Sequence, residues 1–250
     1  MSKSCEEGLW KKATEYDKNA LHISSLQGNL RLVKSLIECN CDKEVKDKDG
    51  CTPFMLASQY GQLEVVKYLI SVGADKDAKD NNGNTPLILA SLKCKLEVVK
   101  YLISIGADKD VKNNYDCFPL ILASFSGHLE VVKYLISLGA DKETKNISGY
   151  ISLILASFSG HLEVAKYLIS LGADKEAKDE KGMTLLIIAS KLDCHEVVKC
   201  HISLGADKNA KDNEGKTCFD HGNSNARNYL SLISLTKLHY NFVVLNQNTQ

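Results

Sequence analysis

The chain carries no surplus of either charge: lysine plus arginine and aspartate plus glutamate each number 31, so its 250 residues have a formal net charge of zero. Without a basic excess there is no general attraction for phosphate backbones or anionic lipid surfaces, and nucleic acid is a poor first expectation. Long hydrophobic runs are also missing. No stretch approaches the roughly 18 uncharged apolar residues that a spanning helix requires, and the opening MSKSCEEGLWKK lacks the apolar core of a secretory leader. No G-x-S-x-G, Walker loop or H-E-x-x-H occurs, so the usual nucleophile, phosphate and zinc-hydrolase signatures are absent. What cysteine there is, nine residues scattered from Cys5 to Cys218, is odd in number and sits in a chain far larger than disulfide-dependent secreted scaffolds. A soluble protein of a reducing compartment is expected, intracellular and cytoplasmic rather than nuclear.

What is present is self-similarity. Gly50, Gly83, Gly149, Gly182 and Gly215 fall into one frame of 33 residues, with Asp116 at the vacant glycine position. Ala57, Ala90, Ala123, Ala156 and Ala189 keep the same frame, as do Gly73, Gly106, Gly139, Gly172 and Gly205. A fixed period of this size is the mark of a stacked repeat architecture, in which no unit buries its apolar face alone.

Within one unit, GCTPFMLASQYGQLEVVKYLISVGADKDAKDN reads as turn, short helix, tight turn, longer helix and polar loop. Thr52 is a good N-cap, and Pro53 suits the first helical position, where its missing N–H is no loss. Gly61 lets the chain reverse before a second helix that opens at Gln62. There Leu63, Val66, Leu69 and Ile70 recur at helical spacing as an apolar stripe, with Glu64 and Lys67 on the opposite side. Gly73 supplies a left-handed C-terminal cap, and the Asp, Lys, Asn and Gly that follow predict a projecting, solvated loop.

Thr52-Pro53 with Ala57, the run GQLEVVKYLI, and Gly73-Ala74-Asp75 resemble the ankyrin repeat. The resemblance covers residues 17 to about 235. It implies an all-α stack of six to seven helix-turn-helix units, with loops paired as β-hairpin fingers and helices in an inner and an outer layer of a curved solenoid. The units run 17–49, 50–82, 83–115, 116–148, 149–181 and 182–214, with a shortened cap at 215–235 that contains Tyr229-Leu230. Residues 1–16 form an N-terminal capping segment with Leu9, Trp10 and Ala13 on one face of a possible helix, and the tail 236–250 has no repeat assignment. The chain departs from the family pattern where a histidine usually follows the proline by two residues: only His22 is kept, and Met55, Ile88, Ile121, Ile154 and Ile187 replace it with apolar packing. The Thr-Pro pair also decays, to Phe118-Pro119, Ile151-Ser152, Thr184-Leu185 and Thr217-Cys218, and each lost cap costs typically ~1 kcal/mol.

Candidate chemistry is thin. Cys39 and Cys41 lack a second close pair at structural-zinc spacing. Cys194, His195, Cys200 and His201 look like ligands, but His195 and His201 stand about 120° apart on a helix and do not converge; the cluster reads as a degenerate sixth repeat with polar residues in its outer layer. His128 and His161 are ordinary repeat residues, and pairs such as Glu64/Lys67 and Glu97/Lys100 are solvated i, i+3 partners. No cofactor, metal, membrane insertion or small-molecule substrate is expected.

Positions that vary within a faithful frame are free to specify a partner. One set is the hairpin tips, among them Lys48, Asp49, Cys51, Asn81, Asn82, Asn84, Asn114, Tyr115, Cys117, Ile147, Tyr150 and Met183. The other is the end of each inner helix, with Tyr60, Leu92, Phe125, Phe158 and Leu192. Leu92, Phe125 and Phe158 share one slot in three successive repeats, either as an exposed apolar ladder or as core between repeats. Tyr60, Leu92, Tyr115, Phe125, Tyr150, Phe158 and Leu192 are the candidate partner-binding residues. The resemblance implies a non-catalytic protein-binding scaffold or adaptor using the concave inner-helix and loop surface; a regulatory inhibitor of an enzyme or transcription factor would use the same surface, while enzymatic activity and nucleic-acid binding fit less well.

Overall fold

The computed structural model describes residues 16–192, 194–222 and 227. The expected N-terminal cap around Leu9, Trp10 and Ala13, the Tyr229-Leu230 part of the last unit, and the tail 236–250 lie outside the described residues. Within them the chain is helical throughout, with one inner and one outer helix per frame. The pairs are α1 (Ala20–Gln27) with α2 (Leu30–Glu38), α3 (Pro53–Tyr60) with α4 (Leu63–Ser71), α5 (Pro86–Leu92) with α6 (Leu96–Ser104), and α7 (Pro119–Phe125) with α8 (Leu129–Ser137). They continue as α9 (Ser152–Phe158) with α10 (Leu162–Ser170) and α11 (Leu185–Lys191) with α12 (His195–Ser203), followed by the short α13 (Cys218–His221).

The contacts separate two units, Met1–Ile147 and Ser148–Gln250. In the first, each inner helix packs on the next inner helix, each outer helix on the next outer helix, and each inner helix on its own outer partner. In the second, α9 packs on α10 and α11, and α11 packs on α12 and α13. Every packing partner is thus near in sequence, as expected of repeats that bury their apolar faces only against neighbours.

Local sequence explains where the inner helices start. Thr52 Oγ1 accepts a hydrogen bond from Met55 N at 3.3 Å, and Thr85 and Thr184 cap Ile88 N and Ile187 N at 3.4 Å each. Phe118 and Ile151 hold the same slot without a hydroxyl, and α7 and α9 begin with no side-chain cap. Those helices are nonetheless held, because Leu120, Ile121, Leu153 and Ile154 are buried. The slot that holds His22 in the first repeat carries fully buried Met55 and Ile88 in the next two, which is the apolar exchange expected from sequence.

The outer helices correct one expectation. Val65, Val66 and Leu69 are the buried residues of α4, whereas Leu63 and Ile70 are only half-buried. The triplets Val98, Val99 and Leu102 and Val131, Val132 and Leu135 repeat the pattern. Adjacent valines point about 100° apart on a helix, so the buried arc is broader than a single i, i+3, i+4 stripe. An outer helix between an inner partner and two outer neighbours needs such an arc.

The vacant glycine position is occupied as the frame demands. Asp116 adopts φ 52°, and Cys94, which replaces Gly61 of its frame, adopts φ 57°. Both are left-handed conformations that cost an L-residue free energy and that glycine tolerates.

Candidate partner-binding surface

In each unit, inner helices end in exposed apolar side chains. Helix α3 ends at Tyr60, which is 52% exposed, and α7 at Phe125, which is 43% exposed. In the second unit α9 ends at Phe158, 42% exposed, and Leu192 follows α11 at 51%. Leu92, at the end of α5, is half-buried. The phenyl rings are therefore not core, which decides between the two readings of that slot. They stand one turn beyond buried Leu120, Ile121, Leu153 and Ile154, where the helix runs past its packed face. The turn beneath is braced from the following repeat: His128 Nε2 lies 2.9 Å from the Leu92 carbonyl oxygen.

The loops form tight tips without extended ribbons. Among the described residues the β-pairing is a single isolated bridge, Lys178 with Thr184, so the β-hairpin fingers expected by resemblance are reduced to their turns. Each turn is organised by its first acidic or amide side chain. Asp47 Oδ1 accepts from Asp49 N at 3.0 Å and Cys51 N at 2.8 Å, while Asp47 N donates to the Cys51 carbonyl at 3.0 Å. Asp80, Asn113, Asp179 and Asp212 repeat the two side-chain bonds in their own loops. This is the Asx-turn chemistry of short polar side chains.

Neighbouring tips are then laced together. Asn81 donates its backbone N–H to the Asp49 carbonyl at 3.0 Å and its side-chain amide to the Lys48 carbonyl at 2.8 Å. Asn114 does the same to Asn82 and Asn81, and, in the second unit, Asn213 to Lys181 and Glu180. A Cβ on Gly50 would lie 2.4 Å from Asn81 Oδ1, so glycine is needed there for the neighbour's approach as well as for its φ of 80°. Asn81 and Asn114, expected as free tip residues, are braces. The sequence held the signal: Asn81, Asn114 and Asn213 share one frame position, one residue after the Asx-turn residue.

The other tip residues divide by burial. Cys51, Cys117 and Met183 are buried and pack instead of projecting, and Tyr150, in the same slot, is half-buried. Burial, helped by Asp179, pushes the Tyr150 phenol pKa up. Tyr115 and Ile147 are exposed at 53% and 57%, and Lys48, Asp49, Asn82, Glu180 and Lys181 also face solvent. Of the seven candidate residues, Tyr60, Tyr115, Phe125, Phe158 and Leu192 are thus exposed, and Leu92 and Tyr150 are only partly so.

Among the described residues no three of His, Cys, Asp and Glu stand close enough to hold a metal ion. Cys39 is disulfide-bonded and Cys41 is a buried thiol, so the two are no ligand pair. Burial pushes the Cys51 thiol up to about 12, with Asp47 adding to it, and the Cys218 thiol up to about 11, so neither is a thiolate near neutral pH. His201 lies on the outer helix of the sixth repeat and is fully buried there, its Nε2 3.0 Å from Ser157 Oγ.

Helix pairs that recur in one frame, with turn tips laced to their neighbours, define a repeat protein. Ankyrin repeats match the chain at residues 21–113, 73–146, 106–179 and 153–233. With most of its length covered, the chain belongs to the ankyrin repeat family, whose repeats are in general protein-interaction modules and in general non-catalytic. The crystal structure of the human ASB11 ankyrin repeat domain superposes with a TM-score of 0.72 over 83% of this chain and 93% of that one, at 22% identity, and shows the shared fold. Ankyrin repeat and SOCS box protein 3 of Bos taurus is 45% identical over 42 residues, 17% of this chain and 8% of that protein. Among the described residues no helix is long and apolar enough to cross a membrane.

Proposed function

We propose that the chain is a non-catalytic scaffold or adaptor that captures a partner protein on its inner-helix ends and turn tips. The observation that carries this reading is the exposure of Phe125 and Phe158 at 43% and 42%, in a slot directly beyond buried core residues. Large aromatic rings held in water at fixed positions are the usual anchors of protein interfaces, where two stiff torsions lose little entropy on binding. Tyr60, Tyr115 and Leu192 are further anchors, and the laced asparagine tips keep the tip surface from paying a large ordering cost on association.

The test replaces Phe125 and Phe158 with serine and measures partner capture from source-cell lysate together with thermal stability. Capture is expected to fall at least tenfold while the melting temperature moves by only a few degrees, because the rings are already substantially hydrated. Loss of fold with loss of capture, or capture unchanged in a folded variant, would remove this surface from consideration. An inhibitor would use the same anchors; the captured partner's own activity, measured with and without the chain, separates inhibition from adaptor function.

A further inference from the structure

Among the described residues two histidines are fully buried, His22 in the first unit and His201 in the second, and their surroundings differ in what each could do with a second proton. His22 has an oxygen at both ring nitrogens. Its Nε2 lies 3.1 Å from the carbonyl oxygens of Val45 and Cys51, and its Nδ1 lies 2.9 Å from Asn19 Oδ1 and 3.2 Å from Asn19 N. As a neutral ring it donates from Nε2 and accepts the Asn19 N–H at Nδ1; as a cation it donates from Nδ1 to Asn19 Oδ1 instead. Burial lowers the pKa of His22 too, but the Cys51 and Val45 carbonyls and the Asp47 charge offset part of that fall, with Lys18 adding to it.

His201 has no such provision. It occupies, on α12, the frame position that Leu69, Leu102, Leu135 and Leu168 fill completely buried in the four preceding repeats. Nε2 is satisfied by Ser157 Oγ on α9, and Nδ1 is buried with no hydrogen-bond partner. The charged group acting on it is Lys175, on the loop after α10, whose ammonium donates to the Leu204 and Gly205 carbonyls at 2.9 Å each. On that same loop Glu176 accepts the Asp207 N–H at 2.8 Å. Helix α9 bears no charged side chain, and α11 bears Lys191 alone, at its exposed end. On α10, Glu163 and Lys166 are paired with each other at the surface, and they act on Cys200 beside it. On its own helix Glu196 and Lys199 are likewise paired at the surface.

We propose that His201 makes the repeat 182–214 an acid-sensitive latch: protonation of its imidazole, at a leucine position with no acceptor for Nδ1, opens α11 and α12 while the repeat that holds His22 stays closed. Burial, with Lys175 behind it, pushes the His201 pKa down to about 4. A base whose pKa is lower folded than unfolded contributes stability that is whole above the unfolded value near 6.5 and is lost as the pH falls from there towards 4. By this linkage the opening equilibrium of the repeat rises roughly thirtyfold between pH 8 and pH 5. The repeat carries Leu192, so acid would withdraw part of the second unit's exposed surface; the latch itself stands whether or not that surface captures a partner.

The experiment is native-state hydrogen exchange on the full chain at pH 8, 6.5 and 5, corrected for intrinsic exchange rates, in the wild type and in His201→Leu. Wild-type amides of 185–203 are expected to lose protection by more than tenfold towards pH 5 while those of 20–38, in the repeat that holds His22, change little. His201→Leu, which restores the residue of the four preceding repeats, keeps its protection at every pH. A His22→Gln variant checks the contrast and should leave the acid response of 185–203 intact. Equal acid loss in the wild type and His201→Leu would overturn the proposal, as would wild-type protection of 185–203 that does not change with pH.

Discussion

The repeats that begin at Gly50 and at Asp116 lie in the same unit and share a frame, yet they are held together differently. The first has a left-handed glycine at its tip and a threonine cap bonded to Met55 N. The second has Asp116 forced to positive φ and Phe118 in place of the cap, but it keeps buried Leu120, Ile121 and Ala123 where the first has Phe54, Met55 and Ala57. A capped end contributes about 1 kcal/mol and a buried aliphatic side chain about 1.5–3, so a repeat loses its caps at small cost and keeps its packing. Local devices are thus the expendable layer of this architecture.

The comparison breaks most visibly at Leu56 and Leu122, which share one slot. Leu56 is buried in a cluster with Cys51, Met55 and Leu89, whereas Leu122 is half-buried. Leu56→Ala should cost about 2–5 kcal/mol and Leu122→Ala clearly less, measured by denaturant unfolding. Probes in the damaged repeat and in the second unit should then melt apart in Leu56→Ala, and a single shared transition would show cooperativity longer-ranged than neighbour packing allows. Next in size is the cap. Thr52→Val should destabilise by about 1 kcal/mol and Thr52→Ser by much less, because the hydroxyl does the work. The smallest effect sharpens the contrast from the other side. Asp116→Gly should stabilise by about 0.5 kcal/mol through relief of the left-handed conformation, partly offset by loss of the exposed Lys112–Asp116 ion pair at 2.8 Å.

Most of the fold could be read from residues. The glycine frame fixed the number and spacing of helix pairs, and Thr52, Pro53 and Gly61 marked where a helix starts and stops. Exposure of the rings could not be read in the same way. Phe125 and Phe158 were equally good as core or surface, since an apolar residue at the end of a short helix has no periodicity beyond it to say which way it points. Asn81 and Asn114 were misread for a related reason. Variation in a frame position suggests freedom, yet their partners, the Lys48 and Asn81 carbonyls and the Asp49 and Asn82 carbonyls, are backbone groups that no sequence pattern names.

His201 shows where the division falls. Sequence alone determined that a histidine replaces a leucine in the sixth repeat, because periodicity assigns every residue a slot. Only tertiary structure decided that the slot is sealed, that Ser157 of the repeat before it meets one ring nitrogen and that nothing meets the other. The slot follows from the spacing of residues along one chain, which is local; the fate of a proton in it follows from what surrounding helices place beside the ring, which is not.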